Sequence, residues 1–278
     1  VIAVFRTELA KQLRRPRTYV ALTVAAVIPV VIAVAVKSNP PTASGGGEGR
    51  ALFFLGTQSG LVLGFAALRL MSRFLLIVIV ALFAGDAIAG EAGTGNLRYL
   101  LVRPIARGRL LAGKLAVAVL LVFVAATVIA GAASIAGGVT FGWHPVALVA
   151  RSSTGFGAIH HSVGALIGYL AATTLYIAWT MTVVAAFAFM LSTLTDSPTA
   201  AISGGVGLFV VSQILDSIDS IGRARDFLPT AYLDSWDHLL FDGTVSDSMV
   251  RGMLIPIPYL AVFCTVAWWW FRRKDVLS

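Results

Sequence analysis

Cysteine is almost missing from this chain. Cys264 stands alone among 278 residues, which excludes an internal disulfide and any thiolate metal cluster and leaves that side chain as packing. Charge is scarce as well: 12% of residues are charged against 58% apolar, and the mean hydropathy is +0.88. A water-soluble globule cannot carry such a composition. Regular period-two alternation is missing, which excludes a transmembrane barrel. Acids are the scarcer sign, 13 against 21 Lys and Arg, yet no soluble basic domain exists to hold nucleic acid. What remains is a set of long apolar runs separated by short polar stretches.

A hydrocarbon core about 30 Å thick needs about 20 residues of apolar helix. Runs at 18–36, 70–89, 110–136, 163–191, 198–218 and 252–271 meet that length. They predict an all-α polytopic membrane protein with six transmembrane helices in a single domain over 1–278. Residues 1–17 form a basic amphipathic lead in which Ile2, Phe5, Leu9 and Leu13 recur every three or four positions, the pattern of a helix lying along headgroups. Pro16 breaks that lead from the first span and predicts an elbow. An exposed loop is expected from Lys37 to Arg50, with Pro40, Pro41 and Gly45 to Gly47. Residues 51–68 are weakened as a span by Gly56, Gln58, Ser59, Gly60 and Gly64. They are expected to form an outer-side re-entrant or interfacial segment, followed by Arg69 and Arg73 on one helical face.

The basic residues support six spans. With both termini on the cytoplasmic side of the cell membrane, thirteen of the 21 Lys and Arg fall there with five acids, as the positive-inside rule requires. Anionic membrane lipid supplies the counter-charge. No cleavable signal peptide is expected, since the first apolar run is long enough to remain as an anchor.

Searches for reaction chemistry return little. Gly108 to Lys114 has the G-x-x-x-x-G-K spacing of a phosphate loop, but Leu115 replaces the magnesium-binding hydroxyl and an apolar helix follows. Gly56 to Gly60 lacks a serine-centred nucleophile elbow. Adjacent His160 and His161 are expected in a loop and cannot chelate as an i, i+4 pair. Asp234, Asp237 and His238 could surround a cation, although acids of an outer loop are more often solvated. The chain is therefore expected to be no enzyme, with no catalytic residue, cofactor or metal of its own.

Tyr169, Thr173, Tyr176 and Thr180 align hydroxyls along one face of the fourth span. They either line a substrate path or bond between helices. On the fifth span Ala200, Gly204 and Gly207, with Ala201 and Gly205, form a small-residue surface that permits a dimer contact. Residues 219–250 read as an outer cap of short interfacial helices. Pro256 and Pro258 bend the start of the last span, which ends in Trp268 to Trp270 and Arg272 to Lys274 as an interfacial anchor.

The segment 91–109 between the second and third spans is the most specific. It joins basic Arg98, Arg103, Arg107 and Arg109 to an apolar ridge of Leu97, Leu100 and Leu101. Glu91, Gly95, Leu97, Leu100, Leu101, Pro104 and Arg107, followed by Lys114, resemble the permease signature of type-2 ABC exporters. Elbow, six spans and basic ends extend that resemblance over essentially the whole chain. It implies a cytoplasmic coupling helix here, with Glu91, Gly95, Asn96, Leu97, Arg98, Leu100, Leu101, Arg103, Pro104 and Arg107 meeting a separate ABC ATPase subunit present in two copies. ATP and magnesium would bind that partner, and a second permease copy or homologous permease would complete an export pathway. Asn96 replaces a common Thr but can still cap a helix. Gly93 stands where a second acid is frequent, leaving Glu91 to pair with Arg98. The competing reading is a membrane scaffold or immunity-type subunit without nucleotide-dependent motion.

Overall fold

Backbone groups have no water to bond in lipid, so apolar runs of this length satisfy themselves as helices. The computed structural model describes residues 2–41, 48–93, 106–152 and 155–273. Among these, α1 is Ile2–Leu13, α2 Pro16–Ser38, α3 Glu48–Gly56, α4 Gly60–Ser72, α5 Leu75–Gly93 and α6 Arg107–Phe141. A hairpin of β1 (Val146–Ser152) and β2 (Gly155–His161) follows, then α7 (Val163–Leu194) and α8 (Pro198–Asp216). A 3₁₀ helix (Asp219–Phe227), α9 (Asp237–Phe241), α10 (Asp247–Leu254) and α11 (Pro256–Arg273) complete the order. Among the described residues six stretches are long and apolar enough to cross a membrane: α2, α5, α6, α7, α8 and the α10–α11 run. The chain is an all-α polytopic membrane protein that also carries one short hairpin.

Helices α5 and α7 are the most buried of these, whereas α2, α8 and α11 present most of their surface outward. The 35 residues of α6 would extend about 52 Å at 1.5 Å per residue, well beyond a 30 Å hydrocarbon core. Near the C-terminal end of α6, α4 packs against it so closely that a Cβ on Gly60 would lie 2.1 Å from the carbonyl carbon of Gly137. The Gly60 amide donates to Gly142 O at 2.9 Å.

The stretch 51–68 takes a form of its own. Helices α3 and α4 meet at a turn over 57–59, and Leu61 to Leu68 are buried in the core rather than resting at its edge. Helix α5 starts at Leu75, not at 70, because Arg69 and Arg73 close α4 by turning to Asp237 and Asp234. Those two aspartates are therefore ion-paired rather than simply solvated. Residues 219–254 make a cap over this end. Trp236 is fully buried in it, stacked on Phe65 with ring centroids 5.7 Å apart.

His160 and His161 lie on β2 rather than in a loop, with Val146 opposite His161 and Ser152 opposite Gly155. Alternation is faint in this hairpin because Ala147, Ala150, Gly155, Gly157 and Ala158 dilute it. Pro16 occupies the first turn of α2, separated from the end of α1 by Arg14 and Arg15. That is where a residue without an amide donor costs least.

Candidate functional site

At the end of the bundle opposite the cap, four cations and three carboxylates converge from α1, α2, α5 and α6. Glu8 and Lys11 share one face of α1 by their i, i+3 spacing. Arg15 and Arg17 flank Pro16 at the α1–α2 junction. Asp86 and Glu91 come from the last two turns of α5, and Lys114 from the third turn of α6.

Lys114 Nζ lies 2.8 Å from Glu91 Oε1 and 2.9 Å from Glu8 Oε2, with Lys114 4% and Glu91 1% exposed. Lys11 also reaches Glu91. Asp86, 4% exposed, receives Arg15 Nη1 at 2.6 Å and also Arg17. Gly90 makes room for this: a Cβ there would stand 2.4 Å from Asp86 Oδ1. Gly113 likewise admits α1, since its Cβ would meet Val4 Cγ1 at 2.6 Å. On the other side of α5, buried Ser192 Oγ accepts from the amides of Ile88 and Ala89, each at 2.9 Å. Four neighbouring helices, α1, α2, α6 and α7, thus grip the last turns of α5.

Charges paired in this way fix geometry. Removing one partner of a buried pair leaves the other charge unanswered in a low dielectric, at a cost of about 3–5 kcal/mol. Glu91 lies in the last turn of α5 and Lys114 in the third turn of α6, so their contact holds α5 to α6, and Glu8 joins both to α1. A cavity of about 470 Å³, bordered by Lys11, Arg15, Arg17, Asp86, Glu91 and Pro198, opens beside them.

Of the residues expected to meet an ATPase, Glu91 and Arg107 are described. Gly95, Asn96, Leu97, Arg98, Leu100, Leu101, Arg103 and Pro104 lie outside the described residues. Arg107 Nη1 donates to Arg272 O at 3.0 Å, joining the start of α6 to the end of α11. Glu91 meets Lys114 and Lys11; Arg98, its expected partner, lies outside the described residues. Gly108 to Lys114 runs inside α6, so its G-x-x-x-x-G-K spacing forms no phosphate loop.

Two hydroxyls of the stripe bond to backbone carbonyls of this chain, while Thr173 Oγ1 is buried with no hydrogen-bond partner among the described residues. Tyr176 donates to Tyr232 O at 2.5 Å and Thr180 to Ile177 O at 2.9 Å. Tyr169 stands edge-on to His161, and Thr173 is fully buried. On α8, Ala200 is exposed, Gly204 faces Leu191, and Gly207 has open space where a Cβ would stand. No group of three or more His, Cys, Asp or Glu is arranged for a metal ion among the described residues.

A family model described as a protein of unknown function, DUF2705, matches residues 24–277. The chain belongs to this family. No curated protein matches the chain. In this DUF2705 chain the matched region takes in Asp86, Glu91 and Lys114 and begins after α1, so Glu8, Lys11, Arg15 and Arg17 stand outside it. Motif patterning does not reveal those four, or Asp86, as site residues, because in sequence their charges are accounted for by membrane orientation alone. The available signal was Asp86 itself, an acid inside an apolar run that requires a cationic partner.

Proposed function

We propose that the chain is the membrane-spanning permease subunit of an ATP-binding cassette exporter, working as a dimer in the cell membrane and driven by separate ATPase subunits that bind ATP and magnesium. The observation that carries this reading is the buried Lys114–Glu91 contact, continued to Glu8 on α1. It makes the two helix ends around 94–105 and the amphipathic α1 one mechanical unit. In this reading α1 is the elbow helix and 91–109 the coupling segment. Its Leu and Arg residues dock in a cleft of the ATPase, and closure of the ATPase pair tilts α5 and α6 together. The basic α1 end faces the cytoplasm, where both termini lie, and the cap faces outward.

The order of Glu, Gly, Leu-Leu and Pro supports docking over an ordinary basic loop, because orientation rules account for the arginines alone. Copurification with the candidate ATPase tests the proposal. Wild type is expected to hold the ATPase and alter its turnover, while Leu100→Asp and Arg107→Glu lose both effects. Indifference to both substitutions favours the scaffold or immunity-type subunit, which needs the same spans and no nucleotide-dependent motion.

A further inference from the structure

A cavity of about 960 Å³ opens at the cap end, bounded by the end of α4, the end of α8 and the 219–254 cap. Small-molecule sites span roughly 300–1,000 Å³ and are mostly apolar. This one has the volume but is lined by charge of both signs, so its ligand is polar.

The floor is rigid. Arg69 Nη1 lies 2.6 Å from Asp237 Oδ2, and its Nη2 lies 3.7 Å from Asp234 Oδ2, with only a tenth of the Arg69 side chain exposed. Asp234 also receives Nη2 of Arg73. Gln213 Nε2 donates to Arg73 O at 2.7 Å and holds that backbone from α8. Arg73 is thus anchored at one nitrogen and at its carbonyl while 53% of its side chain is exposed. A guanidinium has five N–H donors in a fixed fork. Among the described residues only Nη2 of Arg73 meets a carboxylate, so most of that fork is unspent.

The opposite sign is offered at Asp242. Its Oδ2 lies 2.9 Å from His238 Nδ1, its side chain is 42% exposed, and its Oδ1 has no donor among the described residues. Anchored cation and open carboxylate line the same cavity. A singly charged ligand would leave one of them unanswered.

We propose that this cavity binds a small zwitterion, with its oxyanion taken by Arg73 and its ammonium by Asp242. A free amino acid or short peptide presents that pair of charges, and so does a phosphoethanolamine lipid headgroup. The site stands independently of the exporter reading.

The test is calorimetric titration of the full chain in maltoside micelles with triglycine, O-phosphoethanolamine, ethanolamine and inorganic phosphate. At least one zwitterion is expected to bind saturably, about tenfold or more tighter than ethanolamine or phosphate alone. Asp242→Asn and Arg73→Gln should each weaken it by a similar factor, because a charge-assisted hydrogen bond contributes enough for about one decade of affinity. Binding of triglycine alone points to peptides and of phosphoethanolamine alone to lipid headgroups; binding of both supports the shared charge pair. Asp242 is half exposed, so Asp242→Asn should keep the wild-type unfolding midpoint and decides the matter if Arg73→Gln does not fold. The proposal is overturned if neither zwitterion binds saturably, if a singly charged probe binds as tightly, or if folded variants bind as wild type.

Discussion

Lys114 Nζ and Glu91 Oε1 stand 2.8 Å apart with both side chains buried, although twenty-two residues of chain, including the whole 94–105 stretch, separate them in sequence. Sequence-distant ends are thereby held as neighbours, and Glu8 extends the contact to α1. Glu91→Gln or Lys114→Met should destabilise the purified chain by about 1.5–3 kcal/mol, because each removes a charged hydrogen-bond partner from a buried network in which Glu8 still faces Lys114 or Lys11 still faces Glu91. Denaturant or thermal unfolding in detergent measures this. A loss under about 1 kcal/mol, the scale of an exposed pair, would mean that the network is solvated.

The two arginines after α4 should behave differently. Arg69→Gln removes the guanidinium that meets both Asp237 and Asp234 and should cost about 1.5–3 kcal/mol as a lost charged hydrogen bond. Arg73 is half exposed, and Arg73→Gln should cost no more than about 1 kcal/mol. Paired unfolding curves decide, and equal losses would contradict the assignment of Arg69 as the floor of the cap.

The α4–α6 crossing depends on the absence of side chains at two positions. A Cβ on Gly137 would lie 2.5 Å from Gly60 O, with backbone on both sides, so Gly60→Ala or Gly137→Ala should destabilise by about 1–3 kcal/mol through overpacking. Gly131, on the same helix, has nothing within 4 Å of its would-be Cβ, and Gly131→Ala should gain about 0.5–1 kcal/mol from helix propensity. The opposite signs are measurable in one unfolding series.

The spans were legible in the sequence because apolar length is a direct consequence of bilayer thickness. The boundary at Leu75 was not, since it is set by Arg69 and Arg73 reaching aspartates more than 160 residues away. The hairpin escaped because its small residues carry little period-two signal. At the candidate site, Glu91 and Lys114 were legible as the ends of a motif. Their mutual contact, and the parts of Glu8, Lys11, Arg15, Arg17 and Asp86, depend on how three helices and the α1–α2 junction meet, which local patterning does not encode.

Orientation is open to labelling. With Cys264→Ser as background, a cysteine at exposed Ser217 should react with an impermeant maleimide from outside intact cells. One at exposed Arg14 should react only after permeabilisation. The reverse pattern would place the basic α1 end outside and remove the coupling segment from any cytoplasmic ATPase.

The most direct test places a photo-crosslinking amino acid at Leu100 and, as a control, at Val139, which is 82% exposed near the other end of α6. If the proposed partnership holds, illumination of membranes containing the chain and the candidate ATPase should give an adduct with that ATPase from position 100 and none from 139. No adduct from position 100, or equal yields from both, would contradict the claim that the 91–109 segment is where this chain meets the subunit that burns ATP.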